Sequence, residues 1–104
     1  MKYMTMNRFK IHAKYESEYP GIWDESYKNI DTVQGLVDFK LLKLDKELDG
    51  EIVVFSSCSV WESKEAFESW KISENYKEMH KSIPLNKHMY AEHPVMEAFE
   101  VVLG

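Results

Sequence analysis

The chain has 104 residues, of which 44% are hydrophobic and 30% charged, and its formal net charge is -5. This length predicts a single domain over residues 1–104, and the composition is typical of a globular protein. The negative charge and the single arginine, Arg8, argue against a nucleic-acid partner, which would require a basic surface. No apolar run is long enough to span a membrane, so we expect no membrane partner. The N-terminus has no recognisable signal peptide, and we therefore expect a cytoplasmic protein. The lone cysteine, Cys58, excludes an intramolecular disulfide and is interpreted as a small buried apolar residue.

Residues 3–14 alternate between two sets of side chains, and this period of two predicts a strand. Asn7, Phe9 and Ile11 share one face, whereas Met4 and Met6 lie on the other. An amide among apolar side chains must be hydrogen-bonded or must face a cavity or water. Asn7 is therefore either a satisfied amide near the strand end or a group that contacts a ligand.

A short helix and a hairpin follow the first strand. Pro20 begins a segment in which apolar side chains recur at helical spacing, which predicts a helix over 20–29. Two apolar strands over 35–44 and 52–61 are joined by a predicted turn at Leu48-Asp49-Gly50. The first of these strands has leucines on both faces, which indicates a bulge or a strand buried on both sides.

The segment over 60–82, VWESKEAFESWKISENYKEMHKS, predicts two short helices. Ser63 is a suitable N-cap for the first helix and Ser73 for the second. Tyr76 and His80 then fall in one apolar stripe of the second helix. The break at Ser73 would let the two helices direct Trp70 and His80 into the same cavity.

An irregular connection over 81–94 and a last strand over 96–103 complete the chain. The order β-α-β-β-α-β predicts a ferredoxin-like α+β fold, in which an antiparallel sheet carries both helices on one face. The other face would expose Met4, Met6 and further apolar side chains. Since monomers rarely expose such a surface, we expect a second copy to cover it, giving a homodimer with the architecture of a dimeric α+β barrel.

Asn7, Trp70 and His80 are the candidate site residues. A histidine in an apolar stripe is more often a packed core residue, but a neutral imidazole that faces an apolar cavity also suits heme iron. Trp70 is compatible with an aromatic core, and Phe67, three residues earlier, supports packing in either interpretation. The residues alone leave both interpretations open.

No other pattern indicates a catalytic site. The sequence has no spaced Cys and His set for zinc, no glycine-rich phosphate loop, and no isolated carboxylate pair in apolar surroundings. His12 is expected at the surface or at the rim of a dimer. His88 and His93 fall in the polar connection and are expected to be solvated.

The segments MNRF at 6–9 and VWESKEAFESWKISENYKEMHKS at 60–82 resemble the IsdG-type heme-degrading monooxygenases. That group is a branch of the antibiotic-biosynthesis-monooxygenase-like (ABM-like) dimeric α+β barrels, and the resemblance covers nearly the whole chain in element order. The V-W-x-S-x-x-A-F-x-x-W run also occurs in barrel relatives that bind no heme. The joint presence of Asn7, Trp70 and His80 is what indicates the heme branch.

The resemblance implies that heme is both cofactor and substrate, and that an external electron donor such as a reductase is a partner. His80 would be the axial iron ligand, Asn7 would hydrogen-bond the distal ligand, and Trp70 would distort the ring. Because Arg8 is the only arginine, propionate binding would fall to lysines or backbone amides, and Lys71 and Lys81 are nearby in the sequence. The heme contacts implied in this way come from Asn7, Phe9, Trp23, Phe67, Trp70, Tyr76 and His80.

Three other functions remain open on the sequence. The same cavity could hold a small phenolic or polyketide-like substrate of a cofactor-independent monooxygenase. The protein could instead bind heme without turnover, as a sequestering or stress-response protein. Finally, the cavity of a dimeric barrel could be filled by its own side chains.

Overall fold

A computed structural model describes residues 1–46, 50–79 and 85–104, with all side chains in these ranges except those of Glu25 and Met79. The strands are β1 (Tyr3–His12), β2 (Leu36–Lys43), β3 (Ile52–Trp61) and β4 (Val95–Glu100). The α-helices are α1 (Asp24–Lys28), α2 (Lys64–Lys71) and α3 (Glu74–Met79). Short 3₁₀ segments occupy Ala13–Tyr15, Tyr19–Trp23, Ile30–Thr32 and Lys87–Met89. The predicted turn residues Leu48 and Asp49 and the predicted iron ligand His80 lie outside the described residues.

The four strands form one antiparallel sheet in the order β2-β3-β1-β4. β1 and β3 are the central pair, from Tyr3 opposite Trp61 to His12 opposite Ile52. β4 pairs with the other edge of β1, and β2 with the other edge of β3. This topology confirms the predicted ferredoxin-like α+β fold, with one face of the sheet covered by the helices and one open.

The predicted helix over 20–29 is in fact two elements. A 3₁₀ segment, Tyr19–Trp23, precedes α1, which has only five residues. Pro20 has no N–H to donate to an α-helical hydrogen bond, and Gly21 has a low helix propensity. Neither residue therefore favours a regular α-helix in this segment. The register irregularity in β2 lies between Leu36 and Asp38, near the start of the strand. Leu42 therefore continues a regular alternation, with its side chain on the open face.

The last strand also differs from the prediction, because it begins at Val95 and ends at Glu100 instead of continuing to 103. Its partner β1 begins at Tyr3, which stands opposite Glu100. Beyond that pair a backbone bond runs from Val101 N to Lys2 O at 3.1 Å. The strand ends where the neighbouring strand ends.

The break between the two helices of the 60–82 segment is confirmed. Ser63 Oγ accepts a hydrogen bond from Ala66 N at 3.1 Å and caps α2. Ser73 Oγ accepts from Tyr76 N at 3.2 Å and donates to Trp70 O at 2.6 Å. The same hydroxyl thus ends α2 and begins α3, because one side chain satisfies backbone groups of both helices.

Two apolar clusters occupy opposite ends of the covered face. The packed end consists of Phe9, Ile11, Tyr19, Val53, Phe55 and Met89. The tryptophan cluster consists of Val33, Trp61 and Phe67, with Trp70 packed against it. No helix within the described residues is long and apolar enough to cross a membrane.

Candidate active site

A cavity of about 320 Å³ lies on the covered face between the packed end and the tryptophan cluster. All four strands, helices α2 and α3, and Trp23 contribute to it. Its volume is at the lower end of the range for small-molecule sites, roughly 300–1,000 Å³. The residues that line the cavity are Thr5, Asn7, Phe9, Trp23, Phe39, Ser57, Ser59, Phe67, Trp70, Lys71, Tyr76, His93, Pro94 and Met96.

The floor of the cavity is built from small polar side chains on the central strand pair. Thr5 stands opposite Ser59, and Asn7 stands opposite Ser57. Paired residues of antiparallel strands project to the same face, so these four groups form one patch. Larger side chains flank the patch on both strands, and the small ones between them leave the space that forms the cavity.

Most of this floor is available to a ligand. Thr5 Oγ1 accepts a buried hydrogen bond from Trp61 Nε1 at 3.1 Å. The side chains of Asn7, Ser57 and Ser59 make no hydrogen bond to any residue that the structure describes. An amide and two hydroxyls at the bottom of an aromatic pocket are suited to bind carbonyl or hydroxyl groups of a ligand.

The walls of the cavity are aromatic. On one side the rings of Phe9 and Phe39 lie 5.6 and 5.8 Å from that of Trp23. On the other side the rings of Trp70 and Tyr76 meet edge to face, with centroids 4.9 Å apart and planes at 85°. Rings on two opposing sides favour a flat aromatic ligand, which can stack on them.

An ammonium group and an imidazole, from Lys71 and His93, also line the cavity. Lys71 Nζ is 5.5 Å from the centroid of the Phe67 ring. His93 Nδ1 lies 2.9 Å from the carbonyl oxygen of Pro94, which can only accept, so Nδ1 is the donor in this contact. Nε2 has no hydrogen-bond partner among the described residues. The lining in the described part of the chain includes no carboxylate, although the chain carries -5 overall. The cavity therefore favours an anionic or electron-rich ligand.

The structure brings six of the seven predicted contact residues to this one cavity, and the seventh, His80, lies outside the described residues. The six are Asn7, Phe9, Trp23, Phe67, Trp70 and Tyr76. Their position is a finding, whereas their roles toward a ligand stay predictions. Asn7 lines the cavity without a side-chain hydrogen bond to any described residue, a position that is compatible with a contact to a ligand.

His93 is exposed, as expected, and it also lines the cavity, a position that the sequence did not predict. The segment before it returns along β1, where Tyr90 forms an isolated bridge with Ile11 and Ala91 N donates to Lys10 O at 2.8 Å. These contacts join residues about eighty positions apart. No local pattern in a polar connection could have indicated them.

Three titratable groups with raised pKa values, Tyr19, Cys58 and Tyr90, lie away from the cavity. Burial raises the pKa of the Cys58 thiol, which is only partly buried and lies on the open face, opposite Met6. Burial, and a 3.1 Å hydrogen bond with Tyr90, also raise the pKa of the Tyr19 hydroxyl. Among the described residues, no three His, Cys, Asp or Glu side chains come together to hold a metal ion. A single axial ligand to heme would not need such a cluster.

Solved structures share this fold. SnoaB, a cofactor-independent oxygenase from Streptomyces nogalater, has a TM-score of 0.72 at 16% identity, over 99% of this chain and 95% of that one. A Nitrosomonas europaea protein of unknown function has a TM-score of 0.74 at 10% identity, over 99% and 91%. A conserved Methanosarcina mazei protein has a TM-score of 0.71 at 13% identity, over 96% and 92%. At such identities the likeness shows the fold alone.

A search of the curated proteins found no match. The model of one protein family does match, over residues 2–82, and its description is antibiotic biosynthesis monooxygenase. That range spans β1 to β3 and helices α1 to α3, and with them most of the cavity lining. The chain belongs to the antibiotic biosynthesis monooxygenase family.

Proposed function

We propose that this protein is a heme-degrading monooxygenase, which binds heme in the aromatic cavity and opens the porphyrin ring with oxygen and electrons from an external donor. The observation that carries the proposal is the meeting of Asn7, Trp70 and Tyr76 at one cavity, although Asn7 lies on β1, far in sequence from the two helical residues. Membership of a monooxygenase family supports an oxygen-dependent reaction.

The lining residues fit heme in their chemistry. The aromatic walls can stack on a porphyrin, and Lys71 can pair with a propionate at the rim. Asn7 can donate a hydrogen bond from Nδ2 to an oxygen atom of a ligand held above the floor. When bound, heme supplies the iron that activates oxygen, and its own ring is the group that is oxidised. The volume of about 320 Å³ requires a porphyrin to fill the cavity and to extend past its rim.

The iron ligand is the part of the proposal that a titration tests directly. Hemin added to the purified protein should bind stoichiometrically and give a Soret band, and the axial nitrogen should come from His80. His93→Ala is the matched control, because His93 supplies an imidazole among the described residues that line the cavity. Loss of the band in His80→Ala but not in His93→Ala supports the proposal, the reverse pattern transfers the ligand role to His93, and no binding at micromolar hemin contradicts heme as the substrate.

Turnover distinguishes degradation from storage. The heme complex should lose its Soret band in air with ascorbate or a reductase, and free iron should appear. Catalase must be present, because peroxide formed in solution bleaches heme without the enzyme. A Soret band that persists under these conditions would indicate a heme-binding protein without turnover.

A second candidate is oxidation of a small hydroxylated aromatic compound without a cofactor. The specific observation in its favour is the small cavity with a polar floor, together with His93, whose Nε2 has no hydrogen-bond partner among the described residues. That nitrogen can accept a proton from an acidic ring CH₂, and the carbanion can react with oxygen. Overall, CH₂ and O₂ become C=O and H₂O, so the substrate supplies all the electrons. Oxidation of a hydroxylated anthrone by metal-free protein, lost in His93→Gln, would favour this reaction over heme degradation.

We also propose that a second copy covers the open face of the sheet. Met4 stands opposite Val60 on one side and Phe99 on the other. Phe99 is 44% exposed and Leu42, on the same face, is 42% exposed. Sedimentation should show a dimer that Phe99→Glu converts to monomer. Ile72→Glu is the control, because Ile72 is apolar and 83% exposed but lies between α2 and α3. A monomeric wild type would contradict the proposal.

A further inference from the structure

Trp70 lies between two hollows. Its ring lines the aromatic cavity, and it also lines a neighbouring groove of about 540 Å³ beside α2 and the 3₁₀ segment Ile30–Thr32. Trp70 Nε1 donates a hydrogen bond to Asn75 Oδ1 at 3.2 Å. Asn75 lines the groove but not the cavity, so the N–H is directed to the groove and the cavity receives the apolar ring.

The amide of Asn75 is itself oriented by a second contact. Its Nδ2 donates to Thr32 Oγ1 at 3.0 Å, and Thr32 Oγ1 donates to Asn29 O at 2.6 Å. Because the hydroxyl proton of Thr32 is donated to the carbonyl of Asn29, Thr32 Oγ1 can only accept from the amide of Asn75. This places the NH₂ group of the amide at Thr32 and leaves the amide oxygen for Trp70. Only a side chain with both a donor and an acceptor satisfies both neighbours.

The loop that carries Thr32 is held close to α2 by Gly35. Gly35 has φ +83°, and a Cβ placed on it would lie 2.6 Å from the Cβ of Ala66 in α2. The side chain of Val33, on the same loop, is buried in the tryptophan cluster. The anchor of the hydrogen-bond chain is therefore a packed part of the fold.

We propose that Asn75 is a positioning residue for the substrate cavity: it holds the Trp70 indole so that the site offers a ring, and not a hydrogen-bond donor, on that wall. The proposal deepens the proposed function and rests on it, since the orientation matters for a ligand of this cavity. Without the bond to Asn75, the indole could turn its N–H toward the cavity. That would disturb the edge-to-face contact with Tyr76 and the flat surface on which an aromatic ligand stacks.

The ligand-free protein tests the orientation. The three tryptophans give separate indole N–H signals in a ¹H–¹⁵N spectrum, and Trp70→Phe assigns the relevant one. Asn75→Leu should shift the Trp70 signal and speed its exchange with water, whereas Asn75→Asp, which keeps the acceptor, should largely retain it. The signal of Trp61, bonded to Thr5, is an internal reference. An unchanged Trp70 signal in Asn75→Leu would overturn the proposal.

Hemin binding then tests the consequence. Losing one such hydrogen bond should weaken hemin affinity about three- to tenfold in Asn75→Leu, with partial rescue in Asn75→Asp. Glu74→Gln is the matched control, because Glu74 is adjacent on α3 and pairs with Lys77 at 3.2 Å. A moved Trp70 signal with unchanged affinity would refute a positioning role.

Failure of the proposed function gives a different result. If the wild type bound neither hemin nor a hydroxylated anthrone, the assignment of the cavity as a substrate site would be wrong, and with it the positioning role. The indole signals would still show whether Asn75 fixes the orientation of Trp70. The two failures are therefore distinguishable in one set of variants.

Discussion

The packed end and the cavity floor occupy the same face of the same two strands, yet one is filled and the other is hollow. Phe9 stands opposite Phe55 at the packed end, and two residues along each strand Asn7 stands opposite Ser57 in the floor. The backbone pairing is uninterrupted between them, while the paired side chains change from two large rings to small polar groups. A sheet can thus carry a binding site without any irregularity in its strands.

The two regions also differ in what their side chains can do. At the packed end the hydroxyls of Tyr19 and Tyr90 are hydrogen-bonded to each other. In the floor the amide of Asn7 and the hydroxyl of Ser57 have no hydrogen-bond partner among the described residues. Polar groups left unpaired in a core reduce stability, so such a floor is expected where binding compensates for the cost. Substitutions in the two regions should therefore affect different properties.

The largest effect on stability is expected at the packed end. Phe55 is 3% exposed, and its ring lies 5.0 Å from that of Tyr19. Phe55→Ala should lower the free energy of unfolding by about 3–5 kcal/mol, because it removes buried apolar surface and leaves a void. Urea denaturation measures this loss. A cost below about 1 kcal/mol would mean that the packed end is less tightly filled than the contacts indicate.

An intermediate effect is expected where the floor meets the tryptophan cluster. Thr5 is 6% exposed and accepts from Trp61 Nε1. Thr5→Val keeps the shape but leaves that N–H without its partner, which should cost about 1–3 kcal/mol. Thr5→Ser is the control, since it retains the hydroxyl. Equal stability of the valine and serine variants would show that the bond contributes little.

The sequence predicted the parts of this comparison that depend on local pattern. Alternation in β1 placed Asn7 and Phe9 on one face, and the serine caps placed the break between α2 and α3. It did not predict the floor, because Ser57 becomes part of it only through pairing with Asn7 across fifty residues. The same reason applies to His93, which reaches the cavity through a loop that follows β1. Long-range register and loop paths are set by tertiary packing, which a single sequence pattern does not contain.

Because of Tyr19 in the packed end, the free energy of unfolding should also depend on pH in the alkaline range. Burial raises the pKa of Tyr19 above its ordinary value of 10.0, so the folded chain keeps the phenolic proton when the unfolded chain loses it. Stability should therefore fall above about pH 10, by roughly 1.4 kcal/mol per pH unit for this group. Unfolding free energies of the wild type and Tyr19→Phe between pH 9 and 11 test this. An identical slope in both would show that Tyr19 does not contribute.

The smallest effect on stability, and the clearest separation of the two regions, is expected from Ser57→Val. Valine favours strands and would fill part of the cavity, so the free energy of unfolding should change by less than about 1 kcal/mol. Hemin affinity should nevertheless fall at least about tenfold, because the added methyl groups occupy the floor beside Asn7. Ser56→Val is the matched control, since Ser56 is the neighbouring residue on the open face, opposite Arg8. If both variants bound hemin like the wild type, the floor would not be the surface that the ligand contacts.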